Sequence, residues 1–311
     1  MKMVKDKIVI LGASGFIGMH LCRKLIDKNV NLLALVRNKK SKEAKKLLKM
    51  NIKILEIGNL FKKKKIYFDF SKVKYLINLA ALAHVNRKSL NKNQSTSYNL
   101  NNIEENIVRN FKNKNLKILH LSSAKVSKEI KDNISLYTKA KKKGENIIKK
   151  YYKNHIILRP PLIYGPNVKA NFLTLMRAIY YNFPLPFRKI LKKRSYMYVE
   201  NLTDAILFII KKNHFNGKTY EISDNCLITN ESLVTFIASG LGRKAILFYL
   251  SPKIIKFILI IIGKKELFNK MMEEFIVSNK KFVSDTGWSP PYHYSEGIKK
   301  TCLWYKRTFR M

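Results

Sequence analysis

The sequence predicts an α/β protein: a doubly wound parallel sheet followed by a smaller C-terminal lobe. Three observations carry that expectation. Short β-rich apolar runs alternate with helical stretches over the first half of the chain. A glycine-rich turn, Gly12-Ala13-Ser14-Gly15-Phe16-Ile17-Gly18, joins the first such run to the first helical stretch. The turn signals Pro160-Pro161 and Gly165-Pro166 then end the alternation, and the second half of the chain is less regular. The chain is accordingly divided at residue 160: a sheet domain over 1–160, and over 161–311 mainly a second lobe, with some segments returning to the first.

The elements read in order. Lys7–Leu11 is the first strand, and Phe16–Lys28 a helix with Ile17, Leu21 and Leu25 on one face. Asn31–Val36, Ile52–Ile57, Tyr75–Leu79, Leu116–Leu121 and His155–Leu158 read as further strands. Lys42–Lys49, Asn99–Asn113 and Ser135–Tyr152 are the helices between them. Such alternation implies a parallel sheet with helices on both faces. In the second lobe Ile254–Ile262 is the most apolar run, but it contains Lys256 and is far short of the ~20 residues that span a bilayer. A packed amphipathic helix is expected there, with weak peripheral membrane contact as the alternative.

The turn and two side chains carry chemistry. Gly12, Gly15 and Gly18 let the chain turn tightly and approach a pyrophosphate, which then sits at a helix N-terminus. The second strand ends at Val36-Arg37, with no acid before Glu43. An acid there would take the ribose 2′-hydroxyl of NAD, whereas an Arg accommodates the 2′-phosphate of NADP. NADP is therefore the preferred cofactor, with NAD as the alternative. Tyr137 and Lys141 lie four apart, on one face of a helix. The ammonium can stabilise the phenolate, whose ordinary pKa is about 10, and so make the tyrosine an acid or base near neutrality. Ser122-Ser123 precedes them at the end of a strand.

Composition narrows the setting. With 311 residues and 46% hydrophobic content, the chain has ample core for one large or two intimate domains. Cys22, Cys226 and Cys302 lie far apart, with no metal spacing and no disulfide framework, so a reducing, cytoplasmic setting is expected. A strand and the glycine turn come directly after the basic residues 1–7, with no separate cleavable apolar segment. The net charge is +42, yet Arg contributes only 11 of the 62 basic residues and the lysines are scattered. Guanine reading and bidentate phosphate recognition favour Arg, so no specific nucleic-acid partner is expected. Anionic ligands would still be drawn in by the field.

On these residues the chain resembles the extended short-chain dehydrogenase/reductase family, the nucleotide-sugar epimerases and dehydratases. The resemblance covers nearly the whole chain. Gly12 to Gly18 is similar to the cofactor loop, Asn78-Leu79-Ala80-Ala81 to the fourth-strand segment on the nicotinamide side, and Asn99 to the active-site helix asparagine. Arg159–Leu173, Phe183–Phe187, Arg194–Ile206 and Gly287–Tyr305 match later landmarks in order. The resemblance implies a Rossmann-type domain. It implies Ser123, Tyr137, Lys141 and Asn99 as catalytic residues. Gly12, Ser14, Gly15, Phe16, Ile17, Gly18, Arg37, Asn59, Leu79, Ala80, Ala81, Tyr137, Lys141 and Pro160 would hold the cofactor. Asn171, Phe172, Phe187, Arg194 and Ser123 would hold a UDP-sugar, with Arg194 at its pyrophosphate, and no metal is implied. A homodimer through the helices at 99–113 and 135–152 is also implied.

Departures refine the expected reaction. The dehydratases carry an Asp-Glu pair directly after the catalytic hydroxyl residue, where this chain has Ala124 and Lys125. A lysine cannot be the carboxylic acid that expels water at C6, so 4,6-dehydration is disfavoured. The usual Gly-Asp after the third strand is Gly58-Asn59, which can still accept through its amide oxygen. Only a short stretch separates Ser123 from Tyr137, which would alter the pocket rim. His84 is read as a structural or rim histidine rather than an acid. Within the family the segments look most like the group around UDP-glucose 4-epimerase and UDP-N-acetylquinovosamine synthesis. Arg37 favours a C4-reductase of a UDP-4-keto-6-deoxy-N-acetylhexosamine in surface-polysaccharide synthesis. A 4-epimerase with bound NAD is the alternative, and a non-catalytic nucleotide-binding or membrane-peripheral protein a distant one.

Overall fold

A computed structural model describes residues 7–309, apart from 29, 61–64, 81–101, 114, 129–134, 262, 264–267 and 269–271. The chain divides into two compact units: Met1–Pro160, Thr203–Glu221 and Lys281–Trp288 form one, and Pro161–Leu202, Ile222–Lys280 and Ser289–Met311 the other.

The first unit holds β1 (Lys7–Leu11), α1 (Phe16–Ile26), β2 (Leu32–Val36), α2 (Lys42–Lys49), β3 (Lys53–Glu56), β4 (Val73–Asn78), α3 (Asn102–Asn110), β5 (Lys117–Leu121), α4 (Lys125–Lys128), α5 (Leu136–Tyr151) and β6 (His155–Arg159). After β7 (Leu162–Tyr164), α6 (Ala170–Tyr180), β8 (Lys193–Tyr198) and α7 (Val199–Lys212), β9 (Lys218–Glu221) belongs to this unit again. The rest are β10 (Leu227–Thr229), α8 (Asn230–Leu241), α9 (Pro252–Ile261), α10 (Lys280–Thr286) and α11 (Tyr294–Thr308).

Seven parallel strands run in the order β3-β2-β1-β4-β5-β6-β9. β1 is buried on both faces, as a central parallel strand covered by helices must be. One face buries Val9, Leu33, Leu76 and Ile118 against Ile103 and Ile107 of α3 and Ile148 of α5. The expected elements are present, most with ends moved by one or two residues; α3 stops at Asn110, three residues short of the expected Asn113. Helix α1 stops at Ile26 rather than Lys28 because the Lys28 N–H turns to the Leu25 carbonyl, three residues back. Strand β4 starts two residues early because Val73 pairs with Lys7.

The second unit has a small sheet, β10-β8-β7, in which β8 is parallel to β7 and antiparallel to β10. A buried clasp ties it together. Asp224 accepts from the Tyr198 N–H and from Asn201 Nδ2, both at 2.8 Å. Asn201 in turn exchanges two hydrogen bonds with the Tyr292 backbone, both at 2.9 Å. Burial pushes the Asp224 carboxyl up to about 7, against the pull of these donors. Among the described residues no helix is long and apolar enough to cross a membrane.

Candidate active site

The loop between β1 and α1 is shaped by close approach. Gly12 has φ +84°, and a Cβ there would lie 2.9 Å from the Ala80 nitrogen. A Cβ at Gly18 would overlap the Gly12 carbonyl oxygen and lie 2.6 Å from that of Ala13. The loop therefore folds over the start of its own helix. Gly15 is the N-cap of α1 and offers no side-chain acceptor, and no acid lies in the first turn. The helix thus presents N–H groups and the positive end of its dipole to an outside anion. Ser14, Phe16 and Ile17 are half-buried around this turn, while Leu79 and Ala80 come after β4 beside Gly12. Ala81, Asn99 and His84 lie outside the described residues.

Arg37 is exposed at the end of β2. Sequence reasoning found no acid near it, but one is near in space. Glu56 stands opposite Val36 in the parallel register of β2 and β3, and its Oε2 accepts the Lys39 N–H at 3.0 Å. The signal was available in the aligned ends of two parallel strands, not in local sequence. Asn59 is half-buried three residues beyond Glu56.

Helix α5 carries the tyrosine and lysine. Ser135 caps it by accepting the Thr138 N–H at 3.2 Å, which fixes Tyr137 in the first turn. One turn on, Lys141 is buried and its Nζ donates to the Leu121 carbonyl at 2.8 Å. The structure thus brings Lys141 to the C-terminal end of β5, two residues before Ser123. Tyr137 and Ser123 are both half-buried. Ser123 Oγ accepts a long bond from the Lys125 N–H, 3.4 Å, at the start of α4. The two serines separate cleanly: Ser122 is buried and donates to Glu145 Oε1 at 2.6 Å. Glu145, fully buried, also takes a bidentate pair from Arg159, Nε to Oε1 at 2.8 Å and Nη2 to Oε2 at 2.6 Å. The neighbouring Ala124 N–H donates to the buried Pro160 carbonyl at 2.9 Å, so β5 and β6 are locked together at the site.

Behind Lys141 lies a polar cluster that sequence reasoning missed. Asn78 Oδ1 accepts the Ala80 N–H, which identifies its other end as the donor. That amide donates to His120 Nδ1 at 2.9 Å, so the imidazole carries its proton on Nε2. His120 Nε2 lies 4.0 Å from Glu104 Oε1 and is unpaired among the described residues. Burial pushes Glu104 up to about 7, while Lys141 pulls it down. Burial lowers Lys141, and Glu104 and then Glu145 hold it up. His120 is held well below its ordinary value by burial, with Lys141 and His155 adding to it, and is neutral. No local motif marks this cluster, because its members come from β4, α3, β5 and α5.

In the second unit Asn171 is exposed in the first turn of α6. Phe172, the next residue, has its ring buried and stacked on Tyr164, centroids 5.4 Å apart. Phe187 is partly buried against Ile190 and α9. Arg194 is anchored rather than loose, with Nη1 on the Glu273 carbonyl at 2.8 Å and the guanidinium over Phe275. Among the described residues no cluster could hold a metal ion.

Known proteins place this arrangement. The curated UDP-glucose 4-epimerase of Vibrio cholerae is 25% identical over 324 residues, covering 96% of this chain and 95% of that one. The Bordetella bronchiseptica enzyme WbmF, solved with NAD+ and UDP, superposes with a TM-score of 0.73 at 17% identity, covering 99% and 94% of the two chains. UDP-glucuronic acid 4-epimerase from Bacillus cereus, solved with NAD, gives 0.71 at 17% identity, covering 98% and 97%. The family model for NAD dependent epimerase/dehydratases matches residues 8–223, which include the glycine loop, the buried lysine and its tyrosine, and the chain belongs to that family.

Proposed function

We propose that this chain is a nicotinamide-dependent oxidoreductase acting at C4 of a UDP-sugar, and that it reduces a UDP-4-keto-6-deoxy-N-acetylhexosamine. The observation that carries the reading is Lys141, buried one turn beyond Tyr137 and bonded to the Leu121 carbonyl two residues before Ser123. The cofactor's hydride supplies the redox chemistry when it is bound. The protein holds the proton. Tyr137 gives its phenolic proton to the C4 oxygen as that oxygen gains charge, and Ser123 donates a hydrogen bond to the same atom. An ammonium at Lys141, one turn beyond Tyr137, would favour the charged form that the phenol takes once it has given up that proton. One of its three N–H donors goes to Leu121, which leaves two for other acceptors such as ribose hydroxyls.

The glycine loop fits a dinucleotide: a Cβ at Gly12 or Gly18 would fill the turn, and α1 begins without a side-chain cap. Arg37 supports NADP, while the Glu56 carboxylate near the same strand end favours a 2′-hydroxyl. NAD in the solved relatives supports NAD as the alternative. Ala124 and Lys125, in place of an acid pair, speak against dehydration.

A second reading is a 4-epimerase, which returns the hydride to the other face of C4 with no net redox; the similarity to the Vibrio cholerae enzyme favours it. Purified protein supplied with a panel of UDP-sugars and UDP-4-keto sugars separates the two. Loss of NADPH absorbance only with a 4-keto sugar is the expected result. Interconversion of UDP-glucose and UDP-galactose without cofactor consumption would replace reduction by epimerisation. Under either reading Tyr137→Phe should lower turnover by about 10²–10⁴-fold while nucleotide binding survives. Turnover indifferent to that change removes the proton-transfer role altogether.

A further inference from the structure

Of the nineteen large hydrophobic side chains exposed among the described residues, eleven fall in two short segments, 181–193 and 243–261. The same two segments hold eight Lys or Arg and no Asp or Glu. They are neighbours in the fold. Leu185 bridges Leu247, the Leu185 N–H bonds the Ile246 carbonyl, and the Phe248 N–H bonds the Leu185 carbonyl. Ile190 of the first segment is buried with Ile255 and Leu259 of α9, and Lys189 Nζ lies over the Tyr249 ring at 5.5 Å.

Helix α9 has two apolar faces. Ile255 and Leu259 point inward. Ile254, Phe257, Ile258 and Ile261 are spaced i, i+3, i+4, i+7 and so form a second stripe. Their exposures are 48%, 66%, 44% and 66%, far more than a helix packed into a core shows. Lys253 and Lys256 are exposed on the same helix, and Arg188, Lys189, Lys192 and Lys193 are exposed on the segment packed against it. Acids reach the rim of this surface: Glu231 accepts the Lys189 N–H and Glu274 that of Lys193.

We infer that this face lies on an anionic lipid surface, with the outer stripe of α9 inserted at the level of the headgroups and the surrounding lysines on lipid phosphates. The charge chooses the occupant. A second copy would bring its own eight cations to the same face, and like charges there oppose self-association. A bilayer with acidic lipids supplies both the apolar phase and the counter-charge. The geometry is interfacial, because ten residues of helix reach about 15 Å, half of a hydrocarbon core.

Any chain of this charge will touch acidic vesicles, so the test isolates the stripe. The full-length protein is sedimented with vesicles of phosphatidylcholine alone or mixed with phosphatidylglycerol, at low salt and at about 0.5 M salt, where charge attraction is screened within a few ångströms. Two variants are compared: Phe257→Ser with Ile261→Ser, and a control that changes the exposed α2 lysines Lys42, Lys45, Lys46 and Lys49 to Gln. The wild type should pellet with the acidic vesicles and keep part of that binding at high salt. The stripe variant should lose about tenfold in partitioning, and the α2 variant less than about threefold. Phe257→Trp keeps the stripe apolar and should shift its emission to the blue on acidic vesicles, which decides the matter if the serine variant is poorly folded. Equal losses in the two variants, or binding abolished by salt alone, would overturn the inference. So would a wild-type dimer that the serine variant converts to monomer, since the face would then join two copies.

Discussion

At the scale of single residues, the site is defined by where charge is buried. Lys141 could be picked from sequence because a tyrosine stands four residues before it, and Arg159 because it opens a segment resembling the family. Glu104 could not, because nothing near it in sequence says that α3 lies against α5. The fold packs it there with Lys141 facing it from α5, His120 from β5 and Asn78 from β4, with Glu105 beside it on α3, and with Glu145 acting on the same Lys141. Burial first, opposed by Lys141, moves its carboxyl from 4.5 to about 7. The folded state thus holds a proton that the unfolded chain releases. The stability this group contributes is complete below about 4.5 and is lost as pH rises through about 7. Glu104→Gln carries no such proton, whereas Asp224, on which Glu104 does not act, is common to both proteins and cancels. The difference in stability, variant minus wild type, should therefore rise by about 1–3 kcal/mol between pH 5 and pH 8. Thermal melts of both proteins across that range measure it, and a flat difference would mean that the carboxylate is already ionised in the fold.

At the scale of elements, the first six sheet strands and the longer helices between them were legible because apolar runs and helical periodicity alternate there; the four-residue α4 was not. Strand β9 was not. Its four residues, Lys218–Glu221, mix charge with β-formers, and it joins the sheet at the edge beside β6 after an excursion of some sixty residues. Strands β7 and β10 are three residues each, and these two and β8 were hidden in the irregular second half. The landmark segments there turn out to have structural work: Asn201 sits in the Asp224 clasp, and Trp288 is buried with its Nε1–H on Asp204 at 3.0 Å. Two glycines separate backbone constraint from side-chain constraint. At Gly18 an added methyl meets the Gly12 and Ala13 carbonyl oxygens, so the turn itself must move. At Gly144 it meets the Glu104 carboxyl at 2.9 Å, the end of a side chain that can give. Alanine also improves a helix interior over glycine by about 1 kcal/mol, which further softens the second change. Gly18→Ala should therefore cost about 1–3 kcal/mol and weaken nucleotide binding, and Gly144→Ala should be milder in both. Melting temperatures and nucleotide titrations give the order; the reverse order would mean that the loop is not held by close backbone contact.

At the scale of the whole molecule, charge is the dominant unbalanced term. There are 62 basic residues and 20 acidic ones. Even if every acid found a partner, most cations would face other cations. The ion pairs near neutral balance are local: Lys24 with Asp204 at 3.2 Å, Lys218 with Asp285 at 2.8 Å, Lys300 with Glu296 at 2.8 Å. Exposed pairs of this kind contribute at most about 1 kcal/mol each, and salt weakens them. Self-repulsion among the remaining lysines acts over longer range and opposes the compact state. Salt screens that repulsion too, with a Debye length that falls from about 30 Å at 0.01 M to about 8 Å at 0.15 M. The long-range term is the larger, because each lysine has many like neighbours and few opposite ones. Added sodium chloride should therefore raise the melting temperature between these two concentrations, and sulfate should raise it further by occupying phosphate-like sites. A protein stabilised by surface ion pairs would respond in the opposite direction, so a melting temperature that falls with salt would show that the lysines are paired in ways that their number does not allow. The same screening should slow capture of an anionic nucleotide while leaving turnover at saturation unchanged, because the field acts on encounter and not on the buried lysine.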